Sequence, residues 1–218
     1  MLRVKAIAPL RLDDAEMVRR QERYRRLGGP DLAITLVNLA GPDAPERFDS
    51  AAGIAASDRL TAAEIERTDP AEFDVALPDC VLDPAIVGQG DFPVPVAGIL
   101  RLVAGHLASL GRPFAVVTRN RVIGDELAAR LDRYALGGWL DGRYVLDVDF
   151  CLISDHQAWS AAMKPLEAEL TAAGARTLFN GCSAVDLDTD RLGDVAVVDP
   201  TALALRLLAV AGEAGLYR

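Results

Sequence analysis

The apolar residues occur in short runs that alternate with stretches of helical period along almost the whole chain. The strands predicted from these runs lie at 4–9, 31–40, 73–79, 92–98, 113–118, 143–148, 176–181 and 194–199. The predicted helices lie at 14–29, 99–111, 124–138, 157–174 and 200–215. Strands that alternate with helices across short connections indicate a parallel sheet covered by helices, so the predicted fold class is α/β.

Two segments depart from this regular pattern. Pro165 is expected to kink the helix predicted at 157–174 or to mark its true start, because proline cannot donate the helical hydrogen bond. The segment 41–58 is rich in Gly, Pro and Asp and is predicted to be a long loop, a feature that is usually functional or disordered.

An internal repeat divides the chain. A shift of 102 residues places Cys80 on Cys182 within similar strand ends, and a shift of 110 residues places Tyr24 on Tyr134. We therefore predict two similar α/β halves, related by a pseudo-two-fold axis, with a site in the cleft between them. The first half is expected to comprise residues 1–97 plus 201–218, and the second half residues 98–200.

The composition narrows the possible partners. The 218 residues are 51% hydrophobic and 25% charged, and the formal net charge is −9. Nucleic acids and anionic membranes are bound through basic faces, so neither is expected as a partner. No signal peptide or membrane helix is expected, and three cysteines do not suggest a disulfide framework. We expect a cytoplasmic protein with reduced thiols.

Two of the cysteines, Cys80 and Cys182, are the candidate catalytic residues. Each follows a predicted strand, and ligands of open parallel sheets bind beyond the carboxyl ends of the strands. A cysteine at a strand end is most often a small buried hydrophobic residue, but equivalent positions in both halves favour chemistry over that interpretation. Cys151 has no partner in the repeat and is interpreted as structural.

Two opposed thiols would suit the transfer of a proton from one face of a carbon to the other. One thiolate would remove the proton while the opposite thiol delivers another, so neither a cofactor nor a metal ion is expected. Asp83 and Pro84 have the pattern of a helix start, and a helix N-terminus beside Cys80 would favour its thiolate. Gly181 would let the backbone next to Cys182 approach a ligand closely.

Four motifs in order along the chain resemble the aspartate/glutamate/hydantoin racemase superfamily, and its hydantoin-racemase-like branch in particular. They are GPDAPERFD after the second strand, DCVLDPAI, NGCSAVDLD, and VVDPTALALRLLA in the closing strand and helix. The resemblance implies two flavodoxin-like halves, a cofactor-independent mechanism, a small-molecule substrate and a homo-oligomer. It also implies that Cys80 and Cys182 are the acid/base pair and that Thr118 contacts the substrate. The N–H and hydroxyl of Ser183 could hold a substrate oxygen.

The chain departs from this branch at the turn after the first strand. The usual N-P-N-[ST] is replaced by APLR, so that Pro9 is retained but both amide side chains are lost. Arg11 and Arg119 occupy related turns of the two halves. They are expected either to bind a carboxylate bidentately or to be solvated loop charges. The expected substrate contacts are Pro9, Arg11, Val81, Thr118, Arg119, Asn120, Gly181 and Ser183.

The first predicted helix carries five arginines. Because they are interleaved with glutamates, this run is interpreted as a solvated helix face that could also serve subunit contact. The run comprises Arg19, Arg20, Arg23, Arg25 and Arg26.

These observations favour a racemase or epimerase that moves a proton at a carbon next to a carbonyl, on an amino-acid-like or hydantoin-like substrate. The changed turn keeps two alternatives open within the superfamily: a cis–trans isomerase and a decarboxylase of a small carboxylic acid. The lost asparagines also leave open a ligand-binding relative without catalytic activity.

Overall fold

A computed structural model describes residues 1–39, 41–86, 91–187 and 189–217. The strands are β1 Leu2–Ile7, β2 Leu32–Val37, β3 Val75–Pro78, β4 Phe114–Thr118, β5 Leu140–Val145, β6 Thr177–Asn180, β7 Arg191–Leu192 and β8 Val195–Val198. The helices are α1 Asp14–Gly28, α2 Ala51–Glu66, α3 Ile99–Ser109, α4 Arg121–Arg133, α5 His156–Met163, α6 Leu166–Ala172 and α7 Pro200–Glu213. Short 3₁₀ turns lie at Gly29–Asp31, Gly137–Trp139 and Phe150–Ser154.

The strands form two sheets, and the α/β prediction is confirmed. The first sheet has the order β2-β1-β3 and is parallel throughout. The second has the order β5-β4-β6-β8-β7, in which β7 alone runs antiparallel to its neighbour. Helices flank both sheets, as the alternation of strand and helix patterns requires. The residue boundaries of the two halves stay a prediction, and its positions 40, 87–90, 188 and 218 lie outside the described residues.

Several helices begin where a polar side chain accepts a hydrogen bond from the first turn. Such a cap satisfies one of the backbone N–H groups that has no partner within the helix. These N-cap residues are Asp13, Ser50, Asn120, Asp155 and Asp199. Pro200 follows the last of them at the first helical position, where its fixed φ angle suits the helix.

Two elements predicted from the sequence, the strand at 92–98 and the loop at 41–58, differ from those in the structure. The segment predicted as a strand at 92–98 makes only an isolated parallel bridge, between Val96 and Ala76, since Pro93 and Pro95 have no N–H to donate. The loop predicted at 41–58 ends early, because α2 begins at Ala51. By contrast, the break predicted at Pro165 is confirmed, because it separates α5 from α6.

The predicted helix after Cys80 is also wrong, because the chain from 81 to 86 forms turns. Asp83 has a positive φ of 47°, which no helix allows, and its side chain is fully buried. Its two carboxylate oxygens accept hydrogen bonds from the N–H groups of Leu100 and Arg101, each at 2.8 Å. Asp83 therefore caps α3, a helix that begins sixteen residues later in the chain, rather than one of its own.

One apolar cluster runs through both sheets and fixes the strand ends that carry the site. It joins Val4 and Leu77 of the first sheet to Phe114 and Phe179 of the second, and both phenylalanine rings are fully buried. Their centroids lie 6.0 Å apart, within the range of favourable aromatic pairs. In the described part of the chain, no helix is long and apolar enough to span a membrane.

Candidate active site

The two candidate cysteines line one cavity of about 50 Å³ between the sheets. Cys80 lies two residues beyond the end of β3, and Cys182 two residues beyond the end of β6. Of the predicted site residues, the cavity brings together Pro9, Cys80, Val81, Arg119, Gly181, Cys182 and Ser183. Most of the remaining wall is apolar and comes from Leu10, Phe48, Leu82, Ile123, Phe150, Ile153 and Ala184.

The first cysteine loop, residues 79–86, is held from one side by α1. Asp79, which precedes Cys80, is 2% exposed and accepts hydrogen bonds from Arg20 at 3.0 Å and from the hydroxyl of Tyr24 at 2.8 Å. The Nε of Arg20 donates in turn to Glu16 at 2.7 Å. A buried carboxylate is tolerated only when it is paired in this way, so these contacts fix the backbone of Cys80.

Helix α4 holds the same loop from the other side with an equivalent set of residues. Arg130 donates to the carbonyl of Asp83 at 3.0 Å, to Glu126 at 2.7 Å and to Asp58 at 2.6 Å, and the hydroxyl of Tyr134 donates to the carboxylate of Asp83 at 3.1 Å. Burial raises the pKa of Asp83 to about 6, although the N–H groups of Arg101 and Leu100, the hydroxyl of Tyr134 and the charge of Arg101 oppose the shift.

The second cysteine loop, residues 181–187, is anchored by one buried arginine of α1. Arg23 donates to the carbonyls of Ser183 and Val185 at 2.7 and 2.9 Å. It also donates to the carboxylates of Asp186 and Asp199, each at 2.7 Å. Its guanidinium thus joins α1 to both the loop and the N-cap of α7.

The interpretation of the α1 arginines as a solvated face is wrong for two of them. Arg20 and Arg23 are each 4% exposed and bind one cysteine loop each, whereas Arg25 and Arg26 lie at the surface. The two loops also meet directly, because the hydroxyl of Ser183 donates to the carbonyl of Asp79 at 3.2 Å. The hydroxyl proton of Ser183 is therefore engaged within the protein.

Three residues expected to contact the substrate lie outside the cavity. Arg11 is half exposed and paired with Glu46 at the surface. Thr118 is fully buried and donates to the carbonyl of Asn120 at 3.0 Å. Asn120 caps α4, and its amide donates to the carbonyl of Phe48 at 2.8 Å. For Thr118 and Asn120 the cause is local, because β4 ends at Thr118 and Asn120 is already the N-cap of α4.

Gly181 has a packing role that differs from the one expected. A Cβ atom at this position would lie 2.5 Å from the carbonyl oxygen of Val117 and 2.6 Å from Cγ2 of Thr118. The N–H of Gly181 also donates to that carbonyl at 2.7 Å. Glycine therefore lets the second cysteine loop approach strand β4, and its expected approach to a ligand stays a prediction.

Comparison with known proteins identifies the family. Residues 15–208 match the family model described as Asp/Glu/Hydantoin racemase, and this match spans most of the chain. The chain belongs to this family. Membership implies a small-molecule substrate. No curated protein sequence matches the chain significantly.

Solved structures of the racemase fold resemble the chain over nearly its whole length. Allantoin racemase from Klebsiella pneumoniae has a TM-score of 0.80 at 18% identity, covering 99% of this chain and 89% of that one. Allantoin racemase from Pseudomonas fluorescens has a TM-score of 0.81 at 16% identity, covering 98% and 92%. Arylmalonate decarboxylase has a TM-score of 0.60 at 18% identity, covering 96% and 91%. At these identities the likeness shows the fold.

Within this racemase fold, burial raises the pKa of the Cys80 thiol. The N–H of Leu82, which donates to its sulfur at 3.3 Å, and the charge of Arg130 oppose the shift, while Asp79 and Cys182 add to it. The direction is opposite to the one expected from a helix N-terminus, because burial dominates and the described residues 81–86 form turns.

Burial also raises the pKa of Cys182, which is less enclosed than Cys80. The N–H of Ala184 and the charges of Arg20 and Arg23 oppose this shift. Two buried guanidinium groups thus favour the thiolate of Cys182. We infer that Cys182 ionises before Cys80.

The raised pKa values predict a rising pH dependence of thiol reactivity. Both thiols should stay protonated at pH 7, and their thiolates should form only as the pH rises past about 8.5, the value of an ordinary thiol. Iodoacetamide should therefore modify both cysteines more slowly than a model thiol at pH 8, and Cys182 before Cys80. Peptide mass spectrometry across pH 7 to 10 measures this. Reaction at the model rate, or Cys80 first, would contradict it.

The described ranges contain no group of His, Cys, Asp or Glu side chains arranged to hold a metal ion. Sequence reasoning missed Arg20, Asp79 and Arg23 as parts of the site. The internal repeat contained a signal for Arg20, since the shift of 110 residues also aligns Glu16 with Glu126 and Arg20 with Arg130.

Proposed function

We propose that this chain is a cofactor-independent racemase or epimerase that moves a proton at a carbon next to a carbonyl. Its acid/base pair is Cys80 and Cys182, and its substrate is amino-acid-like or hydantoin-like. The observation that carries this proposal is the placement of the two thiols, which come from equivalent strand ends of the two sheets and line the same cavity.

The chemistry needs one thiolate and one thiol at the start of each turnover. The thiolate removes the proton from one face of the carbon, the C–H electron pair moves into the carbonyl to form an enolate, and the first sulfur becomes a thiol. The opposite thiol then donates its proton to the other face and becomes a thiolate. Starting from the inferred thiolate of Cys182, the pair ends with the thiolate on Cys80.

The raised thiol pKa values suit this reaction in one respect. A thiolate formed in a buried site is a stronger base than one in water, which helps it to remove a weakly acidic C–H proton. The cost is a small thiolate fraction at neutral pH.

A solvent-isotope experiment tests the proposal. One enantiomer of a 5-alkylhydantoin, and separately of an amino acid, is incubated in D₂O at pH 7 with EDTA. The expected result is a decay of the circular dichroism signal together with one deuterium per inverted molecule, detected by ¹H NMR and compared with buffer alone. The Cys151→Ala variant, in which an exposed thiol away from this cavity is removed, should behave like the wild type. Inversion without deuterium uptake would contradict the proposal.

The apolar lining favours one second candidate, a decarboxylase of a small carboxylic acid. Transfer of a carboxylate from water to an apolar wall favours its loss as CO₂, and one thiol would suffice to protonate the resulting carbanion. Release of CO₂ from a 2-alkylmalonate, with one of the two cysteine variants still active, would support this candidate. No release, with racemisation of the substrates above, would exclude it.

A further inference from the structure

Arg119 is a cationic side chain in the wall of this otherwise mostly apolar cavity. It follows β4 directly and is 6% exposed. One terminal nitrogen donates to the carbonyl of Phe48 at 3.0 Å and pairs with the carboxylate of Asp49. Its Cζ lies 5.6 Å from the centroid of the Phe150 ring, within the range of a cation–π contact.

The Nε of Arg119 is buried and has no hydrogen-bond partner among the described residues. A buried donor without a partner carries a desolvation cost, and native proteins keep few of them. Arg20, the other arginine of the cavity, differs in this respect, because it is paired with the carboxylates of Glu16 and Asp79. Arg119 therefore keeps one N–H donor without a partner, in a side chain that lines the cavity.

The chemistry of the wall indicates what kind of ligand this is. A guanidinium with a free N–H binds carboxylate oxygens best, because its charge strengthens the hydrogen bond. The largely apolar remainder of the cavity suits an apolar substituent. The same apolar wall would leave many N–H and C=O groups of a bound polar ureide without hydrogen-bond partners, which disfavours a ureide as the ligand.

We propose that Arg119 determines specificity by binding the carboxylate of the substrate, and that the substrate is a small carboxylic acid with an apolar substituent on the reacting carbon. This deepens the proposed function, on whose cavity it rests, because it selects an acid over a neutral cyclic ureide. Asp49, whose side chain is 46% exposed, competes with that carboxylate for the guanidinium.

Calorimetric titration of the protein with 2-phenylpropionate and with its neutral amide tests the assignment. The wild type should bind the carboxylate at least about tenfold more tightly than the amide, given the strength of charge-assisted hydrogen bonds. Arg119→Gln should remove this preference and change binding of the amide less than about twofold, which shows that the cavity is still folded. Arg143→Gln is the control, because Arg143 is half exposed, paired with Asp125 and remote from the cavity wall.

The Asp49→Asn variant separates binding from a structural role. If Asp49 only stabilises Arg119, its removal should weaken carboxylate binding. If it competes with the substrate, removal should tighten binding several-fold. Equal binding of acid and amide by the wild type, binding of neither, or a preference that survives in Arg119→Gln would each overturn the assignment. Deuterium exchange in the cysteine variants tests the proposed function separately, since those variants retain Arg119.

Discussion

Replacing either Cys80 or Cys182 by alanine is expected to lower the rate of racemisation by about 10³-fold or more. Each thiol acts on one face of the reacting carbon, and loss of a positioned acid or base typically costs between about 10² and 10⁴ in rate. Inversion needs both faces, so neither thiol can compensate for the other. Polarimetry or circular dichroism on a single enantiomer, with each purified variant, measures this loss.

Cys151→Ala is the matched control for both substitutions. Cys151 is exposed and lies outside the cavity, so its removal should leave the rate within about twofold of the wild type, as expected for a surface substitution. Alanine is close to cysteine in size, which limits any loss of packing at the two buried positions. Wild-type rates in both cavity variants would show that the thiols do not carry the chemistry.

The Arg23→Ala variant should lose about 3–5 kcal/mol of the free energy of unfolding, because removing one partner of a buried ion pair leaves the other charge uncompensated. Here the substitution would leave the carboxylate of Asp199 and the carbonyl of Val185 without this donor, whereas Asp186 keeps Arg26 and the carbonyl of Ser183 keeps the hydroxyl of Thr201. For a chain of this size the expected fall in Tm is about 6–20 °C. Urea or thermal unfolding followed by circular dichroism measures it.

The control lies two residues away on the same helix. Arg25 pairs with Glu22 at the surface, and both side chains are about two-thirds exposed. Its replacement by alanine should change the free energy of unfolding by less than about 1 kcal/mol, since exposed ion pairs contribute little. Equal losses in the Arg23→Ala and Arg25→Ala variants would mean that the buried cluster does not anchor the second cysteine loop.

The alternation of strands and helices was predictable because strand burial and helix capping leave local signals. Parallel strands buried on both faces give the apolar runs of β3 and β4. Helix α2 was not predicted because its first half consists mostly of alanine, glycine and serine, which give a weak apolar pattern. The antiparallel edge strand β7, only two residues long, gives no period to detect.

The residues that hold the two cysteine loops were harder to predict, because their roles depend on contacts between segments distant in the sequence. Asp83 has the pattern of a local helix cap, but its carboxylate serves α3. Arg20 and Arg23 have the spacing of surface charges, and only the packing of α1 against both cysteine loops shows that they are buried. Arg11 and Arg119 occupy related turns in sequence, yet the ion pair with Glu46 keeps Arg11 at the surface.

The most direct test of the two-thiol mechanism is deuterium exchange without inversion in the single-cysteine variants. Each variant is incubated in D₂O with each pure enantiomer, and deuterium at the reacting carbon is measured by NMR. Cys80→Ala should exchange the hydrogen of one enantiomer only, and Cys182→Ala that of the other, because each remaining thiol faces one side of the carbon. Exchange of the same enantiomer in both variants, or of both enantiomers at the wild-type rate, would contradict the mechanism.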